Sequence, residues 1–273
     1  MESSPLISLP RSKSTAFFGA LLRHFPASEA AAHSRRDYAI AGFTFLCVAI
    51  SGYFEMNASI QTQLVMGCLA WVVLAFFLVG ENRETQMQVV IAVVFATVGE
   101  HFASLYMGGY TYRFDNVPAY VPPGHGMVYL TAVALARSGF FIQHAKGIAA
   151  FVILACGTWS LWGISGLPEQ GDSVGALLFG IFLVWLVFGR NPLVYLAAFF
   201  ITTWLELIGT AVGAWHWAEI DPLFGWQQAN PPSGVGAWYC LVDAVAIGAA
   251  GPALRGIKKL MNALSWATQP EPE

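Results

Sequence analysis

Eight stretches of mostly apolar sequence, each about as long as a helix that crosses a bilayer, leave little of this chain for anything else. They fall near 38–54, 61–80, 86–107, 125–143, 146–164, 173–189, 192–213 and 235–255. A crossing helix needs roughly 20 predominantly apolar residues, because the hydrocarbon layer is about 30 Å thick and each residue rises about 1.5 Å. Charged residues make up only 11% of the chain, less than half of the roughly 25% found in soluble domains. The expected fold is an all-α integral membrane protein of about eight transmembrane helices. A net charge of −3 offers no basic surface to nucleic acid, so the lipid bilayer is the expected partner. Cys47, Cys68, Cys156 and Cys240 all lie within apolar runs, without metal-type spacing, and read as packing residues.

Residues 1–37 read as a polar tail with a short interfacial helix around Phe17–Leu22, and 256–273 as a second tail. Lysine and arginine in short loops set orientation. Arg11, Lys13, Arg23, Arg35 and Arg36 precede the first run; Arg83, Lys146, Arg190, Arg255, Lys258 and Lys259 follow even-numbered ones. Arg113 alone falls on the other side. The expected arrangement is a multi-pass protein of the plasma (inner) membrane with both termini cytoplasmic.

Two long loops on the outer side, 108–124 and 214–234, expose an internal repeat. Gly108-Gly109-Tyr110-Thr111-Tyr112 matches Gly213-Ala214-Trp215-His216-Trp217, and Pro122-Pro123-Gly124-His125-Gly126 matches Pro231-Pro232-Ser233-Gly234-Val235-Gly236. Gly80-Glu81-Asn82 likewise resembles Gly189-Arg190-Asn191. The chain is therefore expected to form two four-helix halves, 38–143 and 146–255, sharing one orientation as parallel repeats.

Acids within spans are expensive, on the order of 2.5–3.5 kcal/mol at a helix centre, and are candidate functional residues for that reason. Glu100, Glu206 and Asp243 lie at similar sequence distances from the outer loops and are expected to share one membrane layer. Thr97, Glu100, His101 and Ser104 follow helical spacing, as do Thr203, Glu206 and Thr210. Pairing Glu100 with Glu206 requires a gap of one residue before the glycine motif; without it His101 faces Glu206. Tyr239 precedes Asp243 by one turn, and His125 precedes Tyr129 likewise. Arg137 is expected to reach toward Asp243 or a glutamate, or to snorkel toward the inner surface. Tyr110, Tyr112, Trp215, Trp217 and Trp238 could stabilise a cationic intermediate or form an interfacial belt. No histidine spacing supports a metal site, and no organic cofactor is expected.

The order of intramembrane Glu100, then Gly108, Tyr110, Tyr112, Val121 and Pro122, more loosely repeated in Glu206, Gly213, Trp215 and Trp217, resembles membrane proteins of carotenoid biosynthesis. The hydratases of acyclic carotenoid ends are most similar, and small membrane lycopene cyclases more distantly. That resemblance implies proton-initiated chemistry on an isoprenoid alkene. The expected function is acid/base hydration, cyclisation or isomerisation of an isoprenoid or other lipid substrate, with Glu100 and Glu206 as donor and acceptor and Asp243 and Arg137 setting their charge. A proton-coupled transporter, or a membrane protein binding a hydrophobic small molecule, fits the same acids. A structural subunit would fit if the three acids faced separate surroundings.

Overall fold

The computed structural model describes residues 34–267. The interfacial helix expected at Phe17–Leu22, with most of the 1–37 tail, lies outside the described residues, as do 268–273. Among the described residues there are eight helices. They are α1 (Arg35–Glu55), α2 (Ile60–Leu78), α3 (Arg83–Glu100), α4 (Val121–Arg137), α5 (Gly139–Gly163), α6 (Ser173–Phe188), α7 (Pro192–Ala211) and α8 (Gly236–Ala267). α3 runs on into a π-helical segment, His101–Tyr106. Six helices are long and apolar enough to cross a membrane: α1, α2, α3 with its π segment, α5, α7 and α8. α4 has 17 residues and α6 has 16.

Local sequence explains the helix starts. Ser34, Ser59, Asn82, Ser138, Asp172 and Asn191 each accept a backbone N–H from the first turn of the helix they precede. Asn82 and Asn191, matched in the repeat, do the same work at the starts of α3 and α7. Pro122 and Pro123 sit in the first turn of α4, where a missing N–H costs nothing.

The fourth and fifth helices divide at Ser138, not between 143 and 146. Ser138 leaves helical geometry, donates to Leu135 O (2.8 Å) and accepts from Phe141 N (3.4 Å), closing one helix and opening the next. His144 and Lys146, which interrupt the apolar pattern, sit on the exposed face of α5. α8 also continues well past the expected 255, through Pro252.

α3, α4, α7 and α8 form a closed ring: α3 packs on α4 and α8, and α7 packs on the same two. α1 lies against α4 and α7, α2 against α4, and α6 against α5, α7 and α8. The ring helices carry most of the buried apolar side chains, including Tyr129, Leu130, Leu196 and Phe199. α2 is apolar on all sides but mostly exposed, with Leu64, Leu69, Phe76 and Val79 facing outward. Such a helix needs an apolar solvent.

At one end of the bundle the charges collect. Arg137, at the end of α4, makes a bidentate pair with Glu81 (2.7 Å to each oxygen) and donates from Nε to Asp37 (2.8 Å). Arg36 adds a contact to Glu81 (3.2 Å) and donates to Phe77 O. Arg137 therefore does not reach Asp243 or the span glutamates; as the last residue of α4 it turns to the polar end, where three elements offer acids and carbonyls. Hydrogen bonds from Arg137 hold the Glu81 carboxyl below its ordinary range against the opposing cost of burial, with the charges of Arg137 and Arg36 adding to the effect.

A carboxylate lowered on folding stabilises the fold above its unfolded pKa, about 4.3, and loses that contribution as pH falls through the folded value. In thermal unfolding of the purified protein, Glu81→Gln is expected to lie below wild type at pH 7, with the gap closing below about pH 4. A gap that stays constant across that window would remove Glu81 from the pH response. Arg137→Met, which strands two buried acids, is expected to cost about 3 kcal/mol.

Candidate functional site

At the opposite end of the ring, α3 and α7 finish alike. Each runs into a glycine with left-handed backbone, Gly108 (φ 71°) and Gly213 (φ 67°), a conformation that costs other residues dearly. After α7, Ala214 N bonds to Gly209 O (2.9 Å) and Gly213 N to Thr210 O (3.1 Å), the paired bonds of a Schellman ending. The chain then enters a three-residue strand in each case: β1 (Tyr110–Tyr112) and β2 (Trp215–Trp217). These pair antiparallel, Tyr110 with Trp217, Thr111 with His216 and Tyr112 with Trp215. Strand alternation sends the four aromatic rings to one face and Thr111 and His216 to the other. The Tyr110 and Trp217 rings lie 4.6 Å apart, and Tyr112 and Trp215 meet edge-on at 6.0 Å.

Those rings reach back to the acids. Tyr110 and Tyr112 donate their hydroxyls to Glu100 Oε2, at 2.5 and 2.7 Å. Trp215 and Trp217 donate their indole N–H groups to Glu206 Oε2, at 2.9 and 3.1 Å. Gly209 leaves the space through which the Trp215 ring folds back, since a β-carbon there would strike it. His125, at the start of α4, adds a third bond to Glu100, Nε2 to Oε1 at 2.7 Å, and stacks on Tyr239 (5.0 Å). Burial, then the negative Glu100, pushes the Tyr110 and Tyr112 phenols well above their ordinary pKa. Both therefore stay protonated as donors.

The one-residue gap in the repeat has a physical seat. Thr97, Glu100 and Ser104 precede Thr203, Glu206 and Thr210 by 106 positions, whereas Gly108, Tyr110 and Tyr112 precede Gly213, Trp215 and Trp217 by 105. The π segment His101–Tyr106 begins after Glu100, contains Ser104 and ends before Gly108, and it absorbs the extra residue. Thr97, Ser104, Thr203 and Thr210 all spend their hydroxyls on the carbonyl four residues back, at 2.6–2.8 Å. His101, expected on the same inward stripe, is exposed and bonds Thr97 O through Nδ1 (2.8 Å). As the next residue after Glu100 it points about 100° away from it around the helix.

Both glutamates line one cavity of about 610 Å³. Its walls are mostly apolar, and the acids and imidazole on them are Glu55, Glu100, Glu206, Asp221 and His125, with the Tyr120 hydroxyl among the polar groups beside them. α3, α4, α7 and α8 contribute from their halves nearest the strands, while α1 and α2 also contribute Phe43, Thr44, Ala70 and Val73 from beyond their midpoints. Phe43, Ile50, Leu69 and Phe102 are wall residues that also stand on the outer surface, so the cavity reaches the apolar exterior.

Asp243 is not beside the other acids. Cys240, one turn before it, contacts Tyr195 O (3.5 Å), and Asp243 acts electrostatically on Tyr129 and Tyr195. Tyr195 lies eleven residues before Glu206 on α7, about 16 Å along the helix. The cause is the segment before α8, which descends past the first turns of α6 at Gly234 and meets Phe199 at Gly236. Depth counted from that loop therefore starts too high. Tyr129 turns from the cavity to Gln88 (3.0 Å).

Glu55, Tyr120 and Arg113 belong to the site and carry no helical pattern that marks them. Arg113 donates to carbonyls at two helix ends, Glu55 O on α1 and Val212 O (2.7 Å) with Gly213 O (3.2 Å) after α7. A cation bridging two C-termini is favoured by both helix dipoles. Its isolation as the one basic residue of its side was the available signal. Among the described residues no three His, Cys, Asp or Glu side chains group as a metal site would need.

The chain matches no family model, no curated protein and no solved structure.

The aromatic donors give a direct test by double-mutant cycle. Glu206→Gln and Trp217→Phe are expected to couple by about 0.5–3 kcal/mol in unfolding free energy. Glu206→Gln and Arg137→Met, at opposite ends of the bundle, are expected to add within roughly 0.5 kcal/mol. Additivity in the first pair would mean that the indole bond contributes nothing.

Proposed function

We propose that this protein is a membrane-embedded enzyme that performs acid/base chemistry on an isoprenoid or similar hydrophobic lipid. One observation carries the reading: two carboxyl groups, each held by a pair of aromatic donors, face the same apolar cavity. In this reading all eight helices cross the bilayer as two parallel four-helix halves of the plasma (inner) membrane, both termini cytoplasmic. The strands then lie at the outer side and the Arg137 cluster at the inner side. The earlier resemblance to carotenoid hydratases is consistent with this chemistry, and no organic cofactor is required.

The geometry divides the roles. Three donors converge on Glu100, which suits an ionised carboxylate acting as proton acceptor. Both indoles fall on Glu206 Oε2, leaving Oε1 to carry a proton. Two carboxyls in one apolar cavity are most stable with one proton between them. Transfer of that proton to an alkene carbon leaves a carbocation, which the faces of Tyr110, Trp217 and Trp238 would stabilise. The Glu206 carboxylate so formed keeps its two indole donors. In hydration, water adds to the cation and its second proton passes to Glu100; in isomerisation or cyclisation, Glu100 takes a proton from the neighbouring carbon instead. Atoms balance in each case, and His125 Nε2, bonded to Glu100 Oε1, is placed to share that proton. Asp243 and Arg137 are outside this scheme.

A proton-coupled transporter would need a second exit. Neither Arg137 nor its partners Asp37 and Glu81 line the cavity, and Ile40, Leu74, Val89, Tyr129 and Leu130 pack between it and that cluster. Enzyme chemistry fits that closure better.

Lipid extracts from cells with and without the gene, compared by mass spectrometry, provide the test. Deletion is expected to replace one isoprenoid or lipid species by its precursor. Glu100→Gln and Glu206→Gln are each expected to fail to restore it, with turnover reduced about 10²–10⁴-fold. An unchanged profile on deletion, or full restoration by both variants, overturns the proposal.

A further inference from the structure

One group of polar atoms in the cavity is left over by the acid/base scheme. Glu55, the last residue of α1, is 2% exposed and accepts through Oε1 from Gln63 Nε2 (2.8 Å). Gln63 is itself fixed by Asn116 (3.2 Å). Glu55 Oε2 is buried without a hydrogen-bond partner, and so is the Tyr120 hydroxyl. The Tyr120 hydroxyl and the Glu55 carboxyl face each other at the limit of a direct hydrogen bond, and both side chains line the cavity. Both Glu100 oxygens already hold a hydrogen bond, whereas Glu55 Oε2 holds none.

Chemistry narrows what could complete this pair. Buried polar atoms left unpaired destabilise a fold, and a bound group that satisfies both recovers that loss. A hydroxyl does so: it donates to Glu55 Oε2 and accepts from the Tyr120 hydroxyl. An ether or a hydrocarbon has nothing to donate, an ammonium nothing with which to accept, and a carboxylate or phosphate would set anion against anion. We propose that Glu55 and Tyr120 anchor the hydroxyl of a lipid alcohol, whose hydrocarbon body fills the apolar cavity toward Glu100 and Glu206. This inference rests on the cavity being a lipid site and adds the substrate class to it.

The test uses the full-length protein purified in detergent. Its probes are geranylgeraniol, geranylgeranyl methyl ether and the corresponding hydrocarbon, and its signal is the fluorescence of the cavity tryptophans Trp215, Trp217 and Trp238. Wild type is expected to bind the alcohol about 10-fold or more tightly than the ether. Tyr120→Phe and Glu55→Gln are each expected to bring that preference within about 2-fold while ether affinity holds. Equal binding of alcohol and ether by wild type, or a preference surviving both substitutions, overturns the anchor alone. No binding of any of the three probes overturns the lipid cavity itself.

Discussion

A carboxylate placed among apolar helices must be given donors from within the protein, and much of this structure follows from meeting that need twice. Serine or threonine on the same helix cannot supply them, because Thr97, Ser104, Thr203 and Thr210 return their hydroxyls to their own backbones. The donors come instead from beyond the helix end, from Tyr110 and Tyr112 for Glu100 and from Trp215 and Trp217 for Glu206. For a side chain to turn back on its own helix, the chain must reverse at once, which requires the left-handed glycines Gly108 and Gly213. It must then run extended, so that alternate residues share a face. Two such strands meeting at the centre of the ring satisfy one another's backbone groups and leave only short edges.

The strand pair also fixes the relation between the two sides of the ring. Tyr110 lies on Trp217 and Tyr112 on Trp215, so neither glutamate's donors can move without disturbing those of the other. Arg113 and Ala218 extend the contact at either end, the first through carbonyls at two helix termini and the second through Gly109 O. Gln228 and Asn230 tie the second loop to Gly109 O and Trp217 N. Asp172 holds the same loop to α6 by accepting from Ala229 and Ser233. An aromatic floor results that holds both carboxyls in place from beyond their own helices.

The apolar runs made the helices legible, since length and composition alone decide what can span a membrane. The expected starts near 61, 173, 192 and 235 fall within one residue of the observed helices. The strands were legible but unread: aromatic residues at i and i+2 after a glycine carry the period of a strand, not of a loop. His101 and Asp243 were misplaced for physical reasons. His101 follows Glu100 directly and points about 100° from it around the helix, so the two do not share one face. Depth counted from a loop assumes that the loop lies at the surface, and the segment before α8 does not. Of the two courses expected for Arg137 it takes the one toward the polar end, and its partners Asp37 and Glu81 come from a helix start and a turn, where sequence spacing relates nothing to α4.

If the two halves arose by duplication, their differences carry more chemistry than their likeness. Geometry is common to both: a glutamate, a left-handed glycine, a strand and two aromatic donors. The donors differ in kind. Indole N–H groups only donate, so Trp215 and Trp217 hold Glu206 in place and steady the anion left when its proton departs. Tyr110 and Tyr112 likewise stay protonated and position Glu100 as donors, and only His125 brings it a ring that both donates and accepts. Val235 takes the place of His125 in the other half, so Glu206 has no imidazole beside it from that position. Different donor sets around the two acids give them different parts in the proposed scheme, Glu206 as donor and Glu100 as acceptor, while the free energy of the reaction decides which way the proton passes.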